Sequence, residues 1–174
     1  MNFVTKEQAK NGAECRWRKY NMVTSVAIAC IFLLIFTPIF ILLATVPPQV
    51  DLGALITVCV IFVLMVFGPF GGIFIYQYVC YRRVINAATK CPVYRVTLDN
   101  PHGSYLYRGG VIYYTVEFET DGGRVKIDTT AIFATYGWFV PFEMSEYNNK
   151  DVYIMYDSER EKVYVIDLVE KIDK

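Results

Sequence analysis

The chain has 174 residues, and its 17 basic side chains balance 17 acidic ones, so the formal charge is zero. That length allows one domain of ordinary size or a smaller domain with an appendage. Zero net charge excludes a protein that holds a nucleic acid polymer by bulk electrostatic attraction. The charge is unevenly distributed, however, because Asp51 is the only charged side chain between Tyr20 and Tyr81. The sequence therefore joins an apolar part to a polar part.

Two apolar runs are long enough to cross a membrane as helices, since a bilayer core takes about 20 residues of helix. Met22 to Val46 supplies 25 residues and Leu52 to Cys80 supplies 29. A cleavable signal peptide is the rival interpretation of the first run. Signal peptides have shorter apolar regions, and this run ends in Pro47-Pro48 instead of a small-residue cleavage pattern. We predict a membrane hairpin over 22–81, with transmembrane helices at about 22–46 and 52–80.

The residues around the hairpin predict its orientation. The connection from Val46 to Asp51 is short, so both ends of the hairpin lie on one side, and it contains no Lys or Arg. Basic residues flank the other ends, and the positive-inside rule then places both termini in the cytoplasm of a multi-pass plasma membrane protein. Aromatic and basic side chains are expected to anchor the hairpin at the membrane interface. These predicted anchors are Trp17, Tyr20, Tyr78, Tyr81, Arg82 and Arg83.

Helix-breaking residues occur inside both runs, at Pro38 and at Gly68 to Gly72. They indicate either a hinge or pore-lining break or the ordinary composition of membrane helices, in which Gly and Pro are frequent. Neither run contains an ionisable Asp, Glu, Lys, Arg or His. Because such groups mark most ion and proton pathways, the sequence disfavours a channel or transporter.

After Arg83 the pattern changes to short alternating segments separated by turn residues. Strands are predicted at 93–98, 105–107, 111–120, 124–128, 151–156 and 162–168, with turns at 99–104, 121–123 and 157–161. In the longest strand one face is predicted to be buried, namely Ile112, Tyr114, Val116 and Phe118. We predict that 82–174 is a small, mainly-β cytoplasmic domain, a curled antiparallel sheet or an OB-like barrel. Residues 1–21 form a separate cytoplasmic segment in this prediction.

The stretch from Ala131 to Phe142 does not alternate and is rich in aromatic residues. One interpretation is a cap over the open end of a barrel. The other is an exposed patch that enters the headgroup region or holds a partner. The residues of this predicted interaction face are Tyr136, Trp138, Phe139 and Phe142.

Two runs in the tail carry a resemblance to known proteins: Tyr113 to Gly123 (YYTVEFETDGG) and Asn149 to Asp157 (NKDVYIMYD). They resemble a family of small bacterial membrane proteins of unknown function, in which one or two membrane helices accompany a compact β-domain. The resemblance covers Val93 to Leu168 and implies that fold, with no catalytic residues. The chain departs from the family pattern in lacking a proline soon after Asp157 and in its aromatic stretch. The order of two membrane helices and a small β-domain also looks like certain antiphage effectors, whose β-domain binds a cyclic nucleotide and whose helices damage the inner membrane.

The sequence contains few groups suited to catalysis. The single histidine, His102, lies in a turn, and a lone histidine there is more often solvated than catalytic because a triad needs a partner that orients it. The five cysteines do not pair at metal-ligand spacing, and no phosphate-binding loop or dinucleotide fingerprint occurs. We therefore predict no enzymatic activity, no catalytic residue, no metal and no cofactor.

Two functions remain open. The first is a non-enzymatic interaction or scaffolding module that presents the β-domain at the cytoplasmic face. Its partners are the lipid bilayer and a protein or a second copy bound through the hairpin, with no nucleic acid polymer. The alternative is a ligand-gated effector, in which Tyr113 and Tyr153 stack on a nucleotide base and the hairpin oligomerises to disrupt the membrane. The same tyrosines also suit cross-strand pairing.

Overall fold

We analysed a computed structural model that describes residues 4–45, 51–104, 111–130, 133–134 and 144–172. The described residues form two compact units. The first unit runs to Arg18 and resumes at Cys80, and the second is Lys19–Val79. The N-terminal segment therefore belongs to the same unit as the β-strands.

Three helices come first in the chain: α1 Lys6–Asn11, α2 Ala13–Thr45 and α3 Leu52–Ala87. Both α2 and α3 are long and apolar enough to cross a membrane, which confirms the two long apolar helices of the prediction. Each is longer than its predicted span at the charged end, because the polar flanking residues continue the helical backbone. Pro38 and Pro69 lie inside these helices and end neither of them.

The two helices of the Lys19–Val79 unit contact each other through phenylalanine rings. The ring centroids of Phe36 and Phe62 are 4.7 Å apart, and those of Phe40 and Phe62 are 5.2 Å apart. Much of the remaining apolar surface faces outward, as shown by Leu34 at 74% and Met65 at 72% exposure. In water such a surface would be costly, at about 25 cal/mol per Å² of apolar area.

The described residues of the polar part form seven strands: β1 Val93–Leu98, β2 Pro101–Ser104, β3 Val111–Thr120, β4 Gly123–Asp128, β5 Phe133–Ala134, β6 Lys150–Asp157 and β7 Lys162–Leu168. Two short helices, α4 Met144–Tyr147 and α5 Val169–Ile172, precede β6 and follow β7. The predictions for β1, β3 and β7 are confirmed at both ends, and those for β4 and β6 to within one residue. The predicted strand at 105–107 lies outside the described residues.

The predicted turn at 99–104 is wrong in its second half. Asn100 has a positive φ of 50°, so the chain reverses early, and β2 then pairs with β3 in a register that joins His102 to Tyr113. An asparagine tolerates this left-handed conformation better than most residues. A turn-rich sequence can therefore still leave room for a short edge strand.

The strands form two antiparallel sheets, which confirms the predicted antiparallel pairing. One sheet has the order β1-β6-β7, and in the other β3 pairs with β2, β4 and β5. An isolated parallel bridge joins Thr129 to Val163. Over the described ranges no ladder closes the sheets into a ring, so the predicted OB-like barrel is wrong. Side-chain packing in a shared core, and not continuous backbone pairing, holds the two sheets together.

The core is built from the face of β3 that the sequence predicts. Its four predicted residues are buried, while Glu117 and Glu119 on the opposite face are exposed. Phe118 contacts Tyr94 of β1, with ring centroids 4.6 Å apart. The buried residues that both sheets, α4 and the start of α2 contribute to this core are Ala13, Val96, Leu98, Ile112, Tyr114, Val116, Phe118, Tyr147, Val152, Ile154, Val163 and Val165.

Candidate functional site

The N-terminal segment begins with a short capped helix. Thr5 and Gln8 form a capping box: the Gln8 N–H donates to Thr5 Oγ1 at 3.2 Å, and the Thr5 N–H donates to Gln8 Oε1 at 2.9 Å. This exchange satisfies two backbone donors that a helix start leaves open. It fixes where α1 begins, and α1 in turn carries Ala9 into a second buried cluster with Cys15 and Ile166.

Gly12, between α1 and α2, allows the segment to approach β7 closely. A Cβ atom at Gly12 would lie only 2.7 Å from the backbone oxygen of Ile166. Since real Cβ atoms essentially never come within 3.0 Å of a heavy atom outside their own and the adjacent residues, glycine is required there for packing reasons. Its φ of −67° is accessible to any residue, so conformational freedom is not the cause.

Two ion pairs lie where the first turns of α2 contact the β-domain, one within α2 and one from α2 to β7. We call their residues, together with the two residues whose hydroxyl groups bind them, the ion-pair cluster: Glu14, Arg16, Arg18, Thr130, Tyr147 and Asp167. Glu14 is 1% exposed. Its Oε1 accepts from Arg18 Nη2 at 2.5 Å and from Arg18 Nε at 3.1 Å. Its other oxygen accepts from the Thr130 hydroxyl. A buried carboxylate is tolerated only with such partners.

The second ion pair lies on β7. Arg16 Nη2 is 2.8 Å from Asp167 Oδ2, and the Tyr147 hydroxyl donates to Asp167 Oδ1 at 3.1 Å. Burial raises the pKa of the Tyr147 phenol, and the neighbouring Asp167 carboxylate raises it further. The phenol is therefore a neutral hydrogen-bond donor at physiological pH, and the charge of Asp167 is balanced by Arg16.

A polar cleft of about 460 Å³ opens beside this second pair. Residues of α1, β7 and α5 line it: Thr5, Glu7, Gln8, Asn11, Gly12, Asp167, Lys171 and Ile172. The Lys171 ammonium also lies 5.8 Å from the centre of the Tyr147 ring. The lining offers donors, acceptors and charges of both signs, so it suits hydrogen bonding to a small polar ligand.

Sequence reasoning did not single out this site. It treated Glu14 and Arg16 only as charges that orient the hairpin. A signal was present, since Glu14 precedes Arg18 by four residues, which places both on one face of a helix. A second signal was Asp167, a lone carboxylate inside the otherwise apolar run VYVIDLV. Neither pattern identifies the distant residue that each charge contacts in the fold.

The predicted interface anchors lie in different environments. Trp17 and Tyr81 are half-buried and pack against the two core clusters of the β-domain. Tyr78, at 47%, is exposed, as are Arg82 and Arg83. Tyr20 is half-buried.

The two tyrosines predicted to stack on a ligand lie on different sheets. Tyr113 of β3 contacts the ring of His102 edge-on, with centroids 4.4 Å apart. Tyr153 of β6 is opposite Arg95 of β1 and packs against the second core cluster. Neither lines the polar cleft. The predicted interaction face of Tyr136, Trp138, Phe139 and Phe142 lies outside the described residues.

The lone histidine is near a carboxylate on the outer face of β2, β3 and β4. His102 Nε2 is 3.4 Å from Asp128 Oδ1, and Asp128 also accepts from the Thr115 hydroxyl at 2.8 Å. Both ionisable side chains are about half exposed. Across the described residues, no three His, Cys, Asp or Glu side chains converge as metal ligands would.

Comparison with known proteins gives no match, since neither a family model, nor a curated protein, nor a solved structure is similar to this chain. The resemblance to small bacterial membrane proteins therefore stays a prediction. The residues themselves must support any proposal about function.

Proposed function

We propose that the chain is a plasma membrane protein whose two helices anchor a small β-domain at the cytoplasmic face, where it acts as a non-enzymatic interaction or scaffolding module. The apolar surface of α2 and α3 supports the membrane location most strongly. Side chains such as Leu34 and Met65 are more than 70% exposed, and lipid is the solvent in which that surface is stable.

The composition of the first unit supports a hairpin with both ends on one side. The residues before the first apolar run and those after the second belong to one compact unit. Arg16 of the N-terminal part contacts Asp167 of the C-terminal part at 2.8 Å. Two segments that share an ion pair lie on the same side of any membrane, and the basic flanks favour the cytoplasmic side.

The glycines of α3 support self-association through the hairpin. Gly68 and Gly72 are four residues apart, a spacing that allows membrane helices to approach closely. A Cβ added at either position would meet no heavy atom within 4 Å. That face of α3 is therefore not covered by the described residues of the same chain.

Fractionation and reporters test the anchoring. We expect the full chain to stay in the membrane pellet after an alkaline carbonate wash. A reporter that works only in the cytoplasm should be active when fused at Lys174. A reporter that works only outside the cytoplasm should be active when inserted at Asp51. Release by carbonate, or an external C-terminus, would contradict the anchoring or the orientation respectively.

Oligomer size tests the interaction part. In mild detergent, light scattering of the full chain should give an oligomer, and Gly72→Leu should shift it to monomer. Ala27→Leu introduces the same leucine side chain at an exposed position of α2 and serves as the control. A monomeric wild type that also cross-links to no other protein in cells would refute the module.

The polar cleft favours a second candidate, the ligand-gated effector. Its volume of about 460 Å³ is within the range of small-molecule sites. Titration of the full chain with a panel of cyclic nucleotides should then raise its melting temperature, and Lys171→Ala should reduce that rise. An unchanged melting temperature across the panel would remove this candidate and leave the first untouched.

A further inference from the structure

The polar cleft contains three ionisable lining residues, Glu7, Asp167 and Lys171. All three belong to the first unit of the chain. Glu7 comes from the α1 wall of the cleft, whereas Asp167 and Lys171 come from the wall that β7 and α5 form. The charges that remain free on these two walls decide which class of ligand the cleft accepts.

Asp167 contributes no free charge to the cleft. Its Oδ2 accepts from Arg16 Nη2 at 2.8 Å, and its Oδ1 accepts from the Tyr147 hydroxyl at 3.1 Å and from the Leu168 N–H at 2.9 Å. The Asp167 side chain is only 10% exposed. A buried carboxylate that is paired with a guanidinium and held by two further donors has little attraction left for a second cation.

Glu7 and Lys171 provide the two charges that a ligand can still reach. Both residues are exposed, and among the described residues neither takes part in an ion pair. The Lys171 ammonium lies 5.8 Å from the centre of the Tyr147 ring, and this contact with a neutral phenol leaves its charge in place. The cleft therefore offers one free carboxylate and one free ammonium, on different walls.

This pair of free charges distinguishes between classes of ligand. A simple anion would be attracted by Lys171 and repelled by Glu7, and a simple cation would meet the reverse situation. A zwitterion can present its ammonium to Glu7 and its carboxylate to Lys171, so both of its charges are paired. In an open, hydrated cleft each such ion pair strengthens binding by about fivefold.

Two uncharged lining residues suit the rest of such a molecule. Asn11 is exposed, and a carboxamide can donate to a carboxylate and accept from an ammonium. Ile172 is half-buried and offers an apolar contact for an aliphatic side chain. The cleft volume of about 460 Å³ is within the range of small-molecule sites.

We propose that the polar cleft binds a small zwitterion, namely an amino acid with an aliphatic side chain, with its ammonium at Glu7 and its carboxylate at Lys171. The inference rests on the ligand site of the second candidate function, and it changes the expected ligand from a nucleotide to an amino acid. Loss of either free charge should weaken binding by about fivefold.

The experiment is equilibrium dialysis of the full chain in neutral detergent against labelled L-leucine. Two competitors each lack one charge of leucine: 3-methylbutylamine has no carboxylate, and 4-methylpentanoate has no ammonium. We expect each to bind about fivefold more weakly than L-leucine, because each makes one ion pair fewer and meets one like charge.

Four variants assign the charges to residues. Glu7→Gln and Lys171→Gln should each weaken leucine binding by about fivefold. In Glu7→Gln leucine should also lose its advantage over 4-methylpentanoate, and in Lys171→Gln its advantage over 3-methylbutylamine, which a merely structural role would not cause. Glu119→Gln and Lys126→Gln remove the same charges from exposed positions of β3 and β4 and should leave leucine binding unchanged.

Three results would overturn the inference: no measurable binding of L-leucine, competition by the amine or the acid as strong as that by unlabelled leucine, or equal weakening by the control variants. A cyclic nucleotide as a further competitor separates this inference from the candidate on which it rests. A chain that binds the nucleotide but not leucine would keep that candidate and refute the amino acid site. A chain that binds leucine but not the nucleotide would keep the amino acid site and remove the nucleotide from that candidate.

Discussion

The buried ion pair of Glu14 and Arg18 gives the sharpest quantitative test, because the β-domain contains an exposed pair with the same short contact. Arg18 and Glu14 meet at 2.5 Å with side chains 12% and 1% exposed. Arg95 and Asp151 also meet at 2.5 Å, but with side chains 60% and 38% exposed. Arg18→Ala leaves a carboxylate in the core that keeps the Thr130 hydroxyl and the longer-range attraction of the Lys162 ammonium.

Removing one partner of a buried pair costs about 3 to 5 kcal/mol of unfolding free energy, whereas an exposed pair contributes about 0.2 to 1 kcal/mol. For a domain of this size 1 kcal/mol shifts the melting temperature by about 4 °C. We therefore expect Arg18→Ala to lower it by about 12 °C or more and Arg95→Ala by less than about 4 °C. Both are measured on the full chain in detergent by circular dichroism.

The double variant Glu14→Gln with Arg18→Ala is the internal control. It removes the stranded charge and should recover part of the lost stability. Equal losses for Arg18→Ala and Arg95→Ala would refute the role of burial. Failure of Glu14→Gln to recover stability would show that Arg18 acts through its other contacts.

Three further predictions concern the same domain. Gly12→Ala forces a Cβ to within 2.7 Å of the Ile166 backbone oxygen and should lower the free energy of unfolding by about 1 to 3 kcal/mol, which thermal unfolding would show as a lower melting temperature. Gly122→Ala is the control, because the nearest atom to its added Cβ is at 3.8 Å, and it should leave the melting temperature nearly unchanged. Burial raises the pKa of Tyr114 from 10.0 to about 12, so the folded state favours the neutral phenol. The contribution of this phenol to stability is complete below pH 10 and is lost as the pH rises toward 12. Alkaline unfolding curves followed by phenolate absorbance should be less steep for Tyr114→Phe. Leu98→Ala, at a fully buried site, should lower the free energy of unfolding by about 2 to 5 kcal/mol, measured by denaturant titration.

Local patterns predicted most of the secondary structure and little of the tertiary contact. The alternation in β3 and the length of the two apolar runs depend on neighbours along the chain, so both were visible in the sequence. Closure of a barrel depends on whether edge strands pair, and no local pattern shows that. The ion pair between Arg16 and Asp167 spans nearly the whole chain, so single-sequence reasoning could recognise each charge but not their contact.

The arrangement of charges on α2 explains why the buried carboxylates Glu14 and Asp167 occur where apolar residues would serve stability as well. A buried pair often gives no more stability than an apolar replacement of the same volume. Successive residues of a helix are about 100° apart, so Arg16 points about 200° away from Glu14 and meets a different element. Glu14 binds Thr130 while Arg16 binds Asp167. Apolar side chains would pack at several rotations of α2 about its own axis. Two directional contacts on nearly opposite faces of the helix can both form at only one rotation. We therefore infer that the ion-pair cluster sets the rotation at which the first turns of α2 leave the β-domain.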